Sequence, residues 1–327
     1  MADLHRTIDT QIVADATIDD LDMTLVQRHI TAAQERGRYR GPTELVAFLE
    51  RYRCVARDNG TLQPTLAGVL AFTNEPERWL TTSGIDVAQF SGRRPRSTEM
   101  KFIEQVRGPL FAVIDRAAEI LWDRTEHGYR IEGLQRVPEH AYPEVVLREL
   151  TVNALCHRNW SIAGSRVRIH LFDDSIEWIS PGSLPEGVNI DNLPDAQVSR
   201  NPALVELLFQ ATYIEGLGLG MDTVFDTLHD HRHEPPSIRD SSIAFTFKVF
   251  GRELRIDEPP HQALVADRRA TIMALITQRG ALTITDLEAV MGIQRRTIQR
   301  DLQTLVTEGL LEVAGSTNNR RYRKPST

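Results

Sequence analysis

The chain has 327 residues, 41% of them hydrophobic and 25% charged, and a net charge of −7, which is room for two or three ordinary globular domains. The negative balance excludes a protein that coats nucleic acid over its whole surface, yet it allows one small basic module, because phosphate binding needs only local charge. Apolar runs such as Leu66–Phe72 fall far short of a bilayer span, Met1 opens no secretory signal, and Cys54 and Cys156 alone make neither a disulfide framework nor a metal site, so a cytoplasmic protein without a membrane partner is expected.

Residues 1 to about 100 read as mixed α/β. Leu21, Met23, Val26 and Ile30 give helical spacing over 18–36, and Thr43 to Tyr52 forms a second helix with Glu44 in its first turn. Asn59 to Thr65 is a turn that feeds the apolar stretch Leu66–Phe72. Ile85 to Phe90 alternates as a strand, and Gly92 to Pro95 ends it. A long helix is then expected over about 101–122, kinked near Gly108-Pro109. Pro143 opens another over 144–156. Val167, Ile169 and Leu171 alternate with Arg168 and His170, and Asp173-Asp174-Ser175 turns into Ile176–Ile179, which predicts a β-hairpin. Ile243 to Val249 alternates again, and 253–261 is a charged linker.

The helix over 144–156 carries the most suggestive chemistry. Glu149, Asn153 and His157 recur every fourth residue and so share one stripe, beside the apolar stripe of Leu147, Leu150 and Ala154. An amide oxygen is a hard ligand for Mg²⁺, and a carboxylate beside it can orient or deprotonate water. Later, Gly216, Gly218 and Gly220 precede the apolar helix Met221 to Leu228. Glycines there let backbone N–H groups close on phosphate, and the helix N-terminus adds its positive dipole end.

Those residues resemble the GHKL (Bergerat-fold) ATPases. Glu149-Leu150-x-x-Asn153-Ala154 matches their N-box, and Gly216, Gly218 and Gly220 match the glycine box under the ATP lid. Residues 138–251 are more similar still to the divergent GHKL domain of RecG-related helicases and transcriptional regulators. His157-Arg158-Asn159-Trp160, Ser180-Pro181-Gly182-Ser183-Leu184-Pro185 and Arg200-Asn201-Pro202 carry that likeness. Such proteins combine a Schlafen/AlbA-like domain with this module and often a winged helix; residues 16–92 resemble the part after the AlbA-like core, which is expected to be absent here. The resemblance implies ATP and Mg²⁺ as cofactors, Asn153 as the metal ligand and Glu149 as the base. Ser180, Gly182 and the three glycines would contact nucleotide, and His157 and Arg158 would contact phosphate or cap the helix. The chain departs from the pattern where Ser180 replaces the adenine-binding aspartate and Leu184 a glycine.

Residues 265–323 read as a winged helix-turn-helix: a helix over 267–278, a short helix opened by a Thr285/Glu288 capping box with Leu287 and Val290 inward, and a helix over 294–308. Ile298, Leu302 and Leu305 face its core. Gln294, Arg295, Arg296, Gln299, Arg300 and Gln303 are left for base edges, and Arg320, Arg321 and Arg323 for a wing. From Met291 onward seven basic residues face three acidic ones, a local excess that suits double-stranded DNA.

The expected fold is mixed α/β (α+β), with an N-terminal α/β domain over 1–100, a Bergerat-type two-layer sandwich over 101–255 and a winged helix over 262–324. The leading function is a DNA-binding regulator switched by nucleotide, with a homodimer expected from two-fold operators. The alternatives are an ATPase acting on nucleic acid and an interaction scaffold without nucleotide. The absence of a P-loop argues against a helicase motor. His229 to Glu234 reads as a solvated loop, Arg93, Arg94 and Arg96 as a solvated turn, and Trp160 and Trp178 as core.

Overall fold

The structure is a computed structural model. It describes residues 7–132, 135–193, 196–215, 220–252, 261–293, 295–315 and 320–325. The chain forms two compact units, residues 1–255 and 256–327.

The first unit opens with α1 (Met23–Glu35), started by Asp22, whose carboxylate accepts from Thr24 N, and α2 (Leu45–Arg51), capped by Glu44. β1 (Val55–Asp58) and β2 (Thr61–Pro64) form a hairpin around Asn59-Gly60, both with positive φ, as a two-residue turn requires. The apolar stretch Leu66–Phe72 is α3, capped by Thr65 and buried at every residue. Val26, Ile30, Phe48, Leu49 and Phe72 close a small core here.

The centre of the unit is a six-stranded sheet whose strands come from both sides of residue 100. It contains β3 (Ile85–Phe90) and β4 (Met100–Val106). After α4 (Leu110–Arg124), the β5 (His127–Glu132) and β6 (Gln135–His140) hairpin and α5 (Glu144–Cys156) come β7 (Val167–Leu171) and β8 (Ser175–Pro181). α6 (Pro202–Gln210) and α7 (Gly220–Asp230) follow, and β9 (Ser237–Asp240) and β10 (Ala244–Phe250) complete the sheet. Its order is β4-β3-β7-β8-β10-β9, with β3 and β7 parallel and the other pairs antiparallel. Ile85, Val87, Ile169, Trp178 and Phe247 from the sheet join Ile114, Leu150 and Val224 from α4, α5 and α7 in one core.

The helix expected over 101–122 is therefore corrected to a strand followed by a helix. Met100 to Val106 ladders along β3, Gly108 turns with φ 113, and α4 starts only after Pro109. The hairpin of β7 and β8, α5 and β10 fall where the sequence put them. Trp160 and Trp178 are core, 7% and 2% exposed.

The second unit contains α8 (His261–Arg279), α9 (Ile284–Met291), α10 (Arg295–Thr307) and a two-stranded wing of β11 (Glu312–Ala314) and β12 (Arg321–Arg323). Ile272, Ile276, Leu287, Ile298, Leu302 and Leu305 form its core. The capping box is made by Thr283 and Asp286 instead of Thr285 and Glu288: Thr283 is the extended residue whose hydroxyl accepts from Asp286 N. Val290, expected to point inward, is 47% exposed, and its neighbour Met291, a full turn after Leu287, packs against the core instead. Residues 253–260 of the expected linker lie outside the described residues.

Candidate nucleotide site and nucleic-acid interface

α5 is buried over most of its length, and its polar stripe runs from buried Glu149 through half-buried Asn153 to exposed His157. Glu149 is 4% exposed and faces the start of α7. A methyl group placed on Gly220 would meet Glu149 Oε2 at 2.9 Å and would come within 3.9 Å of Asn153 Nδ2. The helix after the glycine-rich segment thus begins close to the carboxylate and amide of the N-box stripe. Burial raises the Glu149 pKa; Arg148, 3.7 Å away, opposes the shift and Glu215 adds to it. Desolvation of this kind makes the carboxylate a better base. Among the described residues Asn153 makes one weak hydrogen bond, Nδ2 to Met221 Sδ at 3.6 Å, and its carbonyl oxygen is of the type that suits a hard cation or phosphate-bound water.

Asn153 also lines a cavity of about 100 Å³ beside the same helix. Its walls are largely apolar, with Leu150, Trp178, Val198, Phe245 and Phe247 among them. Polar atoms enter through Asn153, His157, Ser180 and Arg200. Ser180 donates its hydroxyl proton to the carbonyl oxygen of Ala154 at 2.7 Å, so only lone pairs remain for anything in the cavity. Gly182 has φ 102, and a methyl group there would meet Asn159 Cβ at 2.5 Å. His157 is exposed and lines the cavity; desolvation at the cavity wall, with Arg200 beside it, lowers its pKa to about 4. It is neutral at physiological pH.

The structure thus brings Asn153, His157, Ser180 and Gly182 to one cavity and Glu149 and Gly220 to its edge on Asn153. Arg158 is elsewhere. It is 1% exposed and donates to Thr82 O, Thr82 Oγ1, Ile162 O and Ser165 O at 2.7 to 3.2 Å, stacked on Trp160. That set of bonds ties loops together and gives Arg158 no access to a ligand. Gly216 and Gly218 lie outside the described residues. Arg200, which the sequence offers only as part of the Arg200-Asn201-Pro202 motif and not as a site residue, also reaches the cavity; its Nη2 donates to Ser183 O and its buried Nε has no partner among the described residues.

In the second unit the two faces of α10 separate cleanly. Ile298, Leu302 and Leu305 are 0 to 2% exposed, whereas Arg295, Arg296, Gln299, Arg300 and Gln303 are all exposed. Their engagement differs. Arg295 reaches back to Glu288 at 3.1 Å, and Arg323 on the wing is held by Glu312 at 2.7 Å. Arg296, Arg300, Arg320 and Arg321 are exposed and form no ion pair among the described residues. Asp301, the one acid of this helix, is 1% exposed and neutralised by Arg268 of α8 through two bonds, so it takes no charge from the exposed face. Gln294 lies outside the described residues.

The comparisons with known proteins match one stretch in each of the two units. Residues 164–249 match the family described as "Putative ATP-dependent DNA helicase recG C-terminal", and residues 268–314 match the DeoR-like helix-turn-helix domain. The first match begins after α5, so the placement of Glu149 and Asn153 rests on the geometry above. A crystal structure of the DIP2311 protein from Corynebacterium diphtheriae is similar over 98% of this chain and 64% of its own, with a TM-score of 0.61 and 18% identity. The two share a fold, and this chain spans about 64% of that protein's length. No curated protein matches. Among the described residues no helix is long and apolar enough to cross a membrane.

Proposed function

We propose that this protein is a cytoplasmic DNA-binding transcriptional regulator whose GHKL-type site binds ATP and, through nucleotide state, alters how the winged helix engages DNA. The observation that carries the nucleotide half is Asn153, which belongs at once to the apolar cavity and to the contact with the start of α7. A base held in the cavity would have its phosphates leaving past Asn153 toward the α7 N-terminus, where backbone N–H groups and the helix dipole favour anions. Ser180, with its proton committed to Ala154, accepts an exocyclic amine in place of the aspartate of the GHKL pattern. Neutral His157 adds no charge against the base, and Arg200 holds the Ser183 end of the wall.

Mg²⁺ would arrive with the nucleotide, since that ion keeps waters and takes most ligands from phosphate. Asn153 is its protein ligand in this reading, and the ion supplies charge neutralisation to the phosphates. Glu149, made more basic by burial, orients and deprotonates the attacking water.

The DNA half rests on α10 presenting Arg296, Gln299, Arg300 and Gln303 opposite its packed face, with Arg320 and Arg321 of the wing for phosphates, on each subunit of a homodimer. An ATPase acting on nucleic acid is the second reading, favoured by the raised Glu149 and the helicase wording of the matched family. DNA retention measured with and without ATP–Mg²⁺, beside phosphate release, tests the proposal. A regulator changes its DNA affinity with nucleotide, and Glu149→Gln binds nucleotide without turning it over. DNA affinity indifferent to ATP, with release that DNA stimulates and Glu149→Gln abolishes, would favour the enzyme.

A further inference from the structure

The packed stripe of α10 holds one residue that an apolar core does not call for. Asp301 follows Ile298 by three positions and precedes Leu305 by four, so it points inward with them, and it is 1% exposed. A carboxylate buried there needs partners to be tolerated, and α8 supplies them. Arg268 Nε donates to Asp301 Oδ2, and Arg268 Nη2 donates to Asp301 Oδ1 at 2.9 Å. Arg269 Nε stands 3.6 Å from the same Oδ1, and Arg269 Nη1 stands 3.7 Å from Glu308. Two successive arginines of α8 thus meet two acids, one inside α10 and one just past its end.

Stability alone does not account for such a pair. Both charges lose hydration on burial, and apolar residues of similar volume commonly hold such a position as well or better. What the two-bond fork adds is direction, since a planar guanidinium meets a carboxylate in a narrow range of orientations. The apolar contacts of Ile298, Leu302 and Leu305 are non-directional and would survive a small roll of the helix. The fork would not.

We propose that Arg268 is a positioning residue for DNA reading: its hold on Asp301 fixes the rotation of α10 about its own axis, and with it the base edges that Arg296 and Arg300 meet. The inference rests on the DNA half of the reading above. Arg300 is the sequence neighbour of Asp301, Arg296 lies one turn earlier, and both are exposed. One helix therefore carries the held residue on its inner face and the reading residues on its outer face. A roll of about 20° carries a side-chain tip at the outer radius of a helix through about 2 Å, enough to end a hydrogen bond to a base. Phosphate contacts carry no sequence information and depend mainly on charge, so they feel the roll less. Arg268 acts through Asp301 and need not touch DNA.

The experiment uses the full chain and two DNA duplexes, one enriched by the wild-type protein from a random-sequence library and one scrambled to the same length and composition. Both are titrated by fluorescence anisotropy, with a thermal melt of each protein. Arg268→Met/Asp301→Leu removes one positive and one negative charge, so the net charge is kept while the fork is lost. Its melting point should match or exceed that of wild type, and its affinity for the scrambled duplex should stay within about twofold. Affinity for the enriched duplex should fall by about tenfold, a split that a merely stabilising pair would not produce. An unchanged ratio between the two duplexes would overturn the positioning role alone. Wild type that enriches no sequence would overturn the DNA reading itself. Should the double variant unfold, Arg268→Lys, which keeps the charge and loses the fork, carries the same comparison with the same direction of change.

Discussion

α5 and α10 both place polar residues one helical turn apart and use them in opposite ways. On α5, Glu149 is 4% exposed and Asn153 is half-buried. On α10, Arg296 and Arg300 stand at the same spacing and both face water. The neighbours make the difference. Val146, Leu147, Leu150, Val152, Leu155 and Cys156 bury most of α5 and leave only Glu144 and Arg148 of its charged residues facing water, whereas α10 buries one face and leaves the other free. A polar stripe inside has its chemistry set by desolvation, as the raised Glu149 shows. A polar stripe outside keeps its hydration and acts through charge and hydrogen-bond reach.

The largest effect that would sharpen this comparison is on the outer stripe. Arg296→Ala/Arg300→Ala is expected to lower affinity for a specific DNA site by about a hundredfold or more. The logarithmic salt dependence would become shallower by about two, read by fluorescence anisotropy over a salt series; an unchanged double variant removes the recognition-helix assignment. On the inner stripe, Gly220→Ala forces a methyl group against Glu149 Oε2 and should weaken ATP binding by about tenfold. The same titration on a control variant, Gly164→Ala, which meets nothing within 4 Å, should match wild type.

pH separates the regions by burial as well. His29, His140, His157, His170 and His233 all have lowered pKa values, each chiefly by desolvation. They are neutral in the fold and take up protons on unfolding. The stability they contribute is present above the ordinary histidine pKa of about 6.5 and lost as pH falls below it, toward about 4 for His157. Glu149, raised, works the other way and is outnumbered. The urea midpoint should therefore drop between pH 7.5 and pH 5; a flat profile contradicts the neutral histidines. The smallest effect is expected from Arg295→Ala and Arg323→Ala. Glu288 and Glu312 already engage these side chains, so DNA affinity should change by only about threefold. A loss as large as that of Arg296→Ala/Arg300→Ala would show that ion pairing does not sort the arginines.

Local signals in the sequence were enough where one element decides its own form. Pro143 and the apolar spacing after it placed α5, alternation placed β7 and β8, and the basic stripe of α10 was legible because its opposite face is cleanly apolar. Met100 to Val106 was misread because Phe102, Ile103 and Val106 fit a helical period as well as a strand, and only pairing with β3 decides. The N-box stripe pointed to Asn153 and His157, yet nothing in the adjacent pair His157-Arg158 hinted that Arg158 turns away from a ligand to bind Thr82 and Ser165. Val198, Phe245 and Phe247 escaped notice for another reason. An apolar residue lining a cavity reads like one in the core until distant segments are brought together.

The central claim is that a carboxamide on α5 and a glycine at the start of α7 share one ligand. Calorimetric titration of ATP–Mg²⁺ into wild type and Asn153→Ala tests it most directly. Saturable binding by wild type and at least a tenfold loss in the variant is the outcome this geometry requires. Equal affinity in the two proteins, or no binding by either, would leave the pocket of α5 without a nucleotide.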